Sequence, residues 1–226
     1  MSYQLINNVA HISLDDGKVN AVGHALIDSV NAGLDSAEQD QAGAVILRGR
    51  EGMFSAGFDL GEFKKGPEAG MAMVTKGFEL LIRLYSFPLP LVAACTGHGI
   101  AMGAFMIMAC DTRIGTRGAY KITLPETAIG MDLPPVLLAL TASRIPPQYM
   151  TRVAIQSEVF DPEQAVVAGF LDEVVDIDAL DARALAVAEQ LLQLPQKQYA
   201  ANKLFARKNA LDDMQAALAT MLTPGD

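Results

Sequence analysis

The segment LVAACTGHGIAMGAFMIMACD, residues 91–111, decides how the fold is interpreted, because its first twenty residues carry no full charge. A run of this length can cross a lipid bilayer as a helix. Its composition favours another interpretation: polar and glycine residues at 96–99 would lie mid-span, Asp111 follows at once, and no aromatic belt flanks the run. We therefore predict a buried strand at Leu91–Cys95, a glycine turn, and a buried helix from about Ala101 to Ala109.

The chain on both sides of this segment alternates strands with helices. Upstream, the apolar pattern predicts strands at 3–6, 9–14 and 43–47, helices at 21–37 and 71–84, and a polar, glycine-rich loop at 48–57. Downstream, it predicts strands near 112–114, 119–122 and 171–175, and two long final helices at 178–194 and 196–222. This order predicts an α/β protein with a helical C-terminal region.

The composition excludes several classes of protein. Hydrophobic residues make up 51% of the 226 residues, which excludes a disordered or low-complexity chain. The 17 basic and 26 acidic residues give a net charge of −9, and this field repels nucleic acid, so we expect no nucleic-acid partner. Cys95 and Cys110 lie in apolar runs without metal-ligand spacing, which predicts buried thiols in a reducing compartment. Met1–Asn8 has no basic and apolar leader pattern, so we expect a cytoplasmic protein with no membrane partner.

Two glycine-containing loops supply backbone N–H groups that can face a ligand. The residues Gly97–Gly103 precede the predicted buried helix, whose N-terminal N–H groups point toward negative charge. Met102 stands where a dinucleotide fingerprint requires glycine, which argues against nucleotide binding of that type. The residues Met53–Leu60 are mostly small, and Asp59 can cap a following helix. Taken alone, residues 97–103 are better explained by an ordinary glycine turn before a buried helix, and residues 53–60 are also consistent with a plain strand-to-helix turn.

Glu126 is the candidate proton-transfer group. It lies in the apolar segment LPETAIG, residues 124–130, with no lysine or arginine beside it, and such a carboxylate can have a raised pKa suited to a general base. An isolated glutamate of this kind is more often a helix cap or an exposed loop charge. The histidines His11, His24 and His98 share no metal-ligand spacing, so we predict no metal site.

The last helix carries a candidate phosphate-binding patch. Its four cations, Lys197, Lys203, Arg207 and Lys208, lie within twelve residues with no acid among them. Against a net charge of −9, such a patch can receive phosphate groups, although a solvated helix face explains it equally well. We expect Lys203→Ala or Arg207→Ala to weaken binding of a phosphorylated ligand, more so at low salt.

In this order, the segments resemble the crotonase (enoyl-CoA hydratase/isomerase) superfamily from about Asn8 to Val175. The resembling segments are DGKVNA (16–21, for K-x-N-A), FSAGFDL (54–60, for F-S-A-G-x-D-[LI]), 97–111 (the glycine-rich turn and A-C-D), 125–130 (P-E-x-x-[IL]-G) and 165–175 (A-x-x-x-G-L-V-x-x-V).

The resemblance implies a crotonase-like core of ββα spiral turns in residues 1–175. It also implies a C-terminal helical region, residues 176–226, that serves trimerisation and covers the ligand, within a homotrimer or homohexamer. The implied substrate is an acyl-CoA thioester of fatty acid metabolism, with no cofactor. Backbone N–H groups of Phe58 and Met102 would form an oxyanion hole, with Glu126 transferring protons. The implied coenzyme A groove contains Lys18, Val19, Ala21, Ser55, Ala56, Gly57, Asp59, Leu60 and Lys203.

One departure from the family pattern bears on the reaction. Hydratases of this family use two glutamates, and the resemblance places the first at Phe105, which cannot transfer protons. One carboxylate suffices to move a double bond, so the resemblance implies an enoyl-CoA isomerase with Glu126 as the proton shuttle. Two alternatives stay open: a hydratase in which a group such as Asp132 replaces the missing acid, and a non-catalytic acyl-CoA-binding protein.

Overall fold

The computed structural model of the chain describes residues 1–223. The strands are β1 (Ser2–Ile6), β2 (Val9–Ser13), β3 (Ala44–Arg48), β4 (Gly52–Ser55), β5 (Leu91–Cys95), β6 (Gly97–Ile100), β7 (Thr112–Thr116), β8 (Ile122–Thr123) and β9 (Glu173–Val175). The α-helices are α1 (His24–Gln39), α2 (Leu60–Phe63), α3 (Pro67–Ser86), α4 (Met102–Ala109), α5 (Pro135–Arg144), α6 (Pro162–Ala168), α7 (Ile177–Leu192) and α8 (Gln196–Leu222). Short 3₁₀ turns lie at Thr127–Ile129 and Pro147–Tyr149, and a π-helical turn at Thr151–Ile155.

The strands form two sheets, and from β3 to β8 consecutive strands alternate between them. The larger sheet has the order β1-β2-β3-β5-β7-β9, and the smaller has the order β4-β6-β8. Each consecutive pair, β3 with β4, β5 with β6 and β7 with β8, therefore sends its first strand to the larger sheet and its second to the smaller. Apart from the β1–β2 hairpin, neighbouring strands are parallel. The α/β class and the ββα turns expected from the sequence are confirmed.

The segment at residues 91–111 folds as a strand–strand–helix unit in the protein interior. Every residue of β5 and of α4 is buried, which explains their continuous apolar sequence. Among residues 1–223 no helix is long and apolar enough to span a membrane.

Two expectations about loops are wrong, because the smaller sheet is built from glycine-rich strands. The predicted turn at 97–99 lies in β6, and the predicted loop at 48–57 contains β4. A Cβ added at Gly97 would lie 2.1 Å from the carbonyl carbon of Gly52 on the neighbouring strand. Only glycine allows the two backbones to approach this closely. Because these strands contain glycine, they lack the alternation of apolar and polar residues by which a strand is recognised in a sequence.

The C-terminal helices complete the two hydrophobic cores. Helix α7 covers the larger sheet, where Leu180, Ala184 and Ala188 join the buried residues of β3, β5 and β7. Helix α8 packs on α3 and α5, and buries Leu211, Met214 and Leu218. The boundary after residue 175 and the trimeric or hexameric assembly stay predictions.

Candidate active site

The Asn20 side chain joins the loop after β2 to strand β4, on one side of the candidate site. Its buried side-chain amide donates to the carbonyl oxygens of Leu14 at 2.9 Å and Phe54 at 3.0 Å. Its backbone has a φ of 51°, a left-handed conformation that asparagine tolerates better than most residues. Asn20 lies within the family-like segment at residues 16–21, but no role was predicted for it from the sequence. The available signal was its polarity at the end of a loop between two buried elements.

Ser55 and Gly57 join the Asn20 loop to the loop that follows β4. The Ser55 hydroxyl donates to the carbonyl oxygen of Asn20 at 2.8 Å and accepts from the Gly57 N–H at 3.2 Å. The Ala56 N–H donates to the carbonyl oxygen of Val19 at 3.0 Å, so the two segments run side by side. Lys18 and Val19 are exposed on the outer side of this junction.

The two glycine-containing loops of the sequence analysis lie against each other. Gly57 has a φ of 96°, and a Cβ added there would lie 2.9 Å from the Ala101 Cβ and 3.6 Å from the Met102 nitrogen. A Cβ added at Gly103 would lie 2.4 Å from the carbonyl oxygen of Ser55. The small residues at these positions therefore allow the backbone of one loop to reach the N-terminus of α4.

Two backbone N–H groups at this junction are free within the described part of the chain. The Phe58 and Met102 N–H groups have no hydrogen-bond acceptor among residues 1–223. Met102 is the first residue of α4, where N–H groups have no partner within the helix. Ala101 precedes it with a φ of 50° and a ψ of −123°, a strained conformation for a non-glycine residue that costs about 1–3 kcal/mol. Strain of this kind is characteristic of functional turns.

Glu126 projects into an apolar cavity of about 230 Å³. The residue is 8% exposed, and its Oε2 is buried with no hydrogen-bond partner among residues 1–223. Burial raises the pKa of this carboxyl above its usual value of 4.5, because the charged form loses solvation. The lining residues are Ala56, Phe58, Leu60, Phe63, Val74, Phe78, Ile100, Ala101, Pro125, Glu126, Ile129, Met131, Asp132, Pro134 and Leu137. Only Glu126 and Asp132 in this set carry a charge, and Asp132 is exposed.

The cavity brings together only part of the set expected from the sequence. Ala56, Phe58, Leu60 and Glu126 line it directly. Asp59 instead caps α2, with its Oδ1 accepting from the Gly61 N–H at 2.8 Å. Five apolar residues of the lining were not predicted from the sequence: Phe63, Val74, Phe78, Ile100 and Leu137. Their sequence carries no distinguishing signal, since apolar residues on helices are usually core residues.

The expectation that Lys203 binds a phosphate is contradicted by its position. Its ammonium is buried and makes an ion pair with Asp111 at 2.6 Å. It also donates to the carbonyl oxygens of Phe87 at 2.7 Å and Leu89 at 2.8 Å. Lysine has three donors, so none is left for a phosphate. Burial lowers the pKa of the Lys203 ammonium, and this effect outweighs the attraction to Asp111, which raises it.

Arg207 is engaged in the same way. It pairs with the other oxygen of Asp111 at 2.8 Å and donates to the Tyr85 carbonyl oxygen at 2.6 Å. Its guanidinium lies 4.3 Å from the centre of the Tyr85 ring, in a cation–π contact. The predicted phosphate patch is therefore divided: Lys203 and Arg207 attach α8 to the core, whereas Lys197 and Lys208 are exposed.

Phe105, Cys95 and Cys110 are core residues. Phe105 is fully buried in α4 and lies outside the cavity lining. Both thiols are buried, as expected from the sequence, and burial raises the pKa of each to about 12. At this pKa neither sulfur forms the reactive thiolate near neutral pH.

Comparison with known proteins assigns the family. The model of the enoyl-CoA hydratase/isomerase family matches residues 4–222. The chain belongs to this family. A solved structure of an enoyl-CoA hydratase/isomerase family protein from Pseudomonas syringae is 41% identical, with a TM-score of 0.94 over 97% of this chain and 95% of that chain. The crotonase fold expected from the resemblance is confirmed.

The relatives are named both as isomerases and as hydratases. The rat mitochondrial enoyl-CoA delta isomerase 1 is 29% identical over 210 residues, covering 91% of this chain and 73% of that protein. A structure of an enoyl-CoA isomerase from Mycobacterium tuberculosis is 38% identical, with a TM-score of 0.93 over 97% of this chain and 96% of that chain. A probable enoyl-CoA hydratase of Bacillus subtilis is 35% identical over 127 residues, covering 54% of this chain and 48% of that protein. Family members act on acyl-CoA thioesters, and their names leave the reaction of this chain open between isomerisation and hydration.

Proposed function

We propose that this chain is an enoyl-CoA isomerase that moves the double bond of a 3-enoyl-CoA to the conjugated 2-position. The observation that carries the proposal is Glu126, the buried one of the two carboxylates that line the apolar cavity, whose Oε2 has no hydrogen-bond partner among residues 1–223. The family resemblance places Phe105 at the position from which a hydratase would supply its first glutamate. Phe105 lies in the core, so no protonatable side chain comes from that position.

The reaction follows from two groups of the site. The Glu126 carboxylate removes a proton from C2 of the thioester, and the electron pair of that C–H bond moves into the carbonyl to give a dienolate. The same carboxyl then returns the proton to C4, the C3–C4 double bond is lost, and a C2–C3 double bond forms. The proton therefore moves from C2 to C4, and the reaction needs no water, oxidant or reductant.

The free N–H groups of Phe58 and Met102 are the proposed donors to the dienolate oxygen. Preorganised backbone donors stabilise an oxyanion without reorganising during the reaction, and removal of one such donor costs roughly 10²- to 10³-fold in turnover. The left-handed φ of Ala101 supports this role, since it orients the start of α4 toward the Gly57 loop.

Gly57→Ala tests this oxyanion hole. The new methyl group would lie 3.6 Å from the Met102 nitrogen and would press on Ala101, so we expect turnover to fall roughly 10²- to 10³-fold. Gly52→Ala is the matched control, because Gly52 also has a positive φ of 75° but has no atom within 4 Å of an added Cβ. Steady-state kinetics of both variants, with thermal unfolding, separate the two effects. Equal activity losses in both variants would mean that backbone strain alone is responsible.

The pH dependence of turnover tests the state of Glu126. A base must be deprotonated, and burial raises the pKa of this carboxyl above 4.5. We therefore expect kcat/KM to fall on the acidic side at a pH above the ordinary range of a glutamate. An acidic limb at or below the usual glutamate pKa would contradict the assignment.

A second candidate, enoyl-CoA hydratase, is favoured by the position of Asp132 on the lining of the same cavity. Hydration needs a second group to activate or orient water, and Asp132 is the other charged residue available there. It is exposed, whereas Glu126 is buried, so the two carboxylates differ strongly in environment.

The proposal is tested with purified protein and 3-enoyl-CoA, by following the absorbance of the conjugated enoyl thioester. We expect the signal to grow in proportion to enzyme concentration. Absence of growth with every acyl chain tried, together with measurable acyl-CoA binding, would overturn the proposal in favour of a non-catalytic binding protein.

A further inference from the structure

The aromatic ring of Phe58 occupies a notch in helix α3. A Cβ added at Gly77 would lie 2.5 Å from Cε1 and 2.6 Å from Cζ of this ring, well inside van der Waals contact. The ring therefore fills the space that any side chain at position 77 would need.

Two further phenylalanines hold the ring in this position. Phe63 of α2 lies edge-on to Phe58, with ring centres 6.4 Å apart at 88°. Phe78 of α3 is tilted by 57° with a centre-to-centre distance of 6.3 Å. Aromatic pairs in these arrangements stabilise each other beyond simple burial. The three rings form an aromatic wall that runs from the buried Phe78 through the half-buried Phe58 to Phe63, which is 37% exposed, and all three line the cavity that contains Glu126.

The cavity is small, and its lining residues are buried on one side and exposed to solvent on the other. Its volume of about 230 Å³ is below the range of about 300–1,000 Å³ typical of pockets for drug-sized ligands. Phe78 and Leu137 are almost fully buried and lie on its inner side, whereas Leu60, Ile129 and Met131 are more than half exposed at its mouth. An acyl chain that enters past the mouth therefore meets the aromatic wall after a short distance.

We infer that the Phe58 ring sets the maximum acyl chain length, so that the enzyme takes short-chain enoyl-CoA thioesters. The same residue then has two separate functions: its backbone N–H faces the thioester oxygen, and its side chain ends the acyl pocket. The inference rests on the proposed function for its reaction, and on the cavity alone for its effect on binding.

Phe58→Ala is the first variant to test, since it removes the ring and keeps the backbone N–H. We would measure kcat/KM for 3-enoyl-CoA substrates with four, eight and twelve acyl carbons. The wild type is expected to favour the shortest, and the variant to raise the long-to-short ratio by about tenfold or more, the size of effect that one methylene group has in a fitted pocket. Phe205→Ala, on the exposed face of α8, is the control and should leave the ratio unchanged.

Gly77→Ala tests the notch from the opposite side. It should push the ring into the cavity and reduce kcat/KM for all three substrates, whereas the double variant Phe58→Ala/Gly77→Ala should recover activity, because the methyl group then occupies the vacated space. Should Phe58→Ala unfold, Phe58→Leu keeps the test open with a smaller expected change. Equal use of short and long chains by the wild type, or an unchanged ratio in the folded variants, would overturn the inference.

Binding of saturated acyl-CoA thioesters separates this inference from the proposed function. Calorimetry with the same three chain lengths measures the pocket without any reaction. We expect the affinity of the wild type to fall as the acyl chain lengthens, and this loss to be smaller in Phe58→Ala. That result would support the limit set by the Phe58 ring even if 3-enoyl-CoA were not turned over. If the affinity of the wild type rose steadily with acyl chain length, the inferred limit on chain length would be wrong, whichever reaction the enzyme catalyses.

Discussion

Replacement of Glu126 by glutamine is expected to reduce turnover of 3-enoyl-CoA by about 10²- to 10⁴-fold, the contribution of a positioned general base. The amide keeps the shape of the side chain but cannot accept and return a proton. Acyl-CoA affinity should change little, since the carboxylate contributes one small part of a mostly apolar cavity. Steady-state kinetics and calorimetry on the same preparation measure both quantities.

The matched control is Asp132→Asn, which neutralises the other charged residue of the same cavity. The isomerase proposal expects this variant to retain most of its activity on 3-enoyl-CoA. Loss of activity in Asp132→Asn, with activity retained in Glu126→Gln, would reverse the assignment of the base.

The Glu126→Gln variant should also be as stable as the wild type or more stable. The folded state raises the pKa of this carboxyl, so the folded protein binds more protons than the unfolded chain between the ordinary pKa and the raised one. The free energy of unfolding therefore decreases as the pH rises through this window, and a neutral amide removes that cost. Inactivation without destabilisation would separate a chemical role from a structural one.

Replacement of Asp111 by asparagine is expected to lower the free energy of unfolding by about 3–5 kcal/mol, the typical cost of breaking a buried ion pair. The Asp111 side chain is 8% exposed, and it pairs with Lys203 and Arg207, whose side chains are 5% and 10% exposed. It also accepts from the Leu91 N–H at 2.9 Å and the Tyr199 hydroxyl at 2.8 Å. The neutral amide would leave two buried cations without their counter-charge.

The control for this prediction lies on the same helix. Lys208 and Asp212 form an exposed ion pair one turn apart in α8, and pairs of this kind contribute only about 0.3–0.5 kcal/mol. Asp212→Asn should therefore be nearly neutral in denaturant unfolding. If Asp111→Asn were equally neutral and instead changed acyl-CoA affinity in a salt-dependent way, a phosphate-binding role for Lys203 and Arg207 would be restored.

The sequence predicted the bounds of an element best where a proline marks its start. The bounds of β5 and α8 agree with the sequence prediction at both ends, and Pro90 and Pro195 directly precede these two elements. The strands β4 and β6 were not predicted, since their pairing depends on glycines that allow contact between backbones. Close packing of this kind removes the side-chain pattern that identifies a strand.

The site could be predicted from the sequence only where its chemistry depends on a distinctive residue. Glu126 was identifiable because a carboxylate in an apolar segment is unusual, and its burial is now evident. Lys203 was misjudged, because a sequence gives the charge of a side chain but not its partner, and Asp111 lies 92 residues away. The wall formed by Phe58, Phe63 and Phe78 was also inaccessible, because it depends on contact between three elements.

The most direct test of the account is to incubate the purified enzyme with 2-enoyl-CoA and 3-enoyl-CoA in parallel in 18O-labelled water, and to identify the products by mass spectrometry. The central claim is that one carboxylate moves a proton without adding water. It predicts that 3-enoyl-CoA is converted to 2-enoyl-CoA with no label, and that 2-enoyl-CoA gives no labelled hydroxyacyl-CoA. Enzyme-dependent formation of labelled 3-hydroxyacyl-CoA at a rate similar to isomerisation would contradict the claim and identify a hydratase.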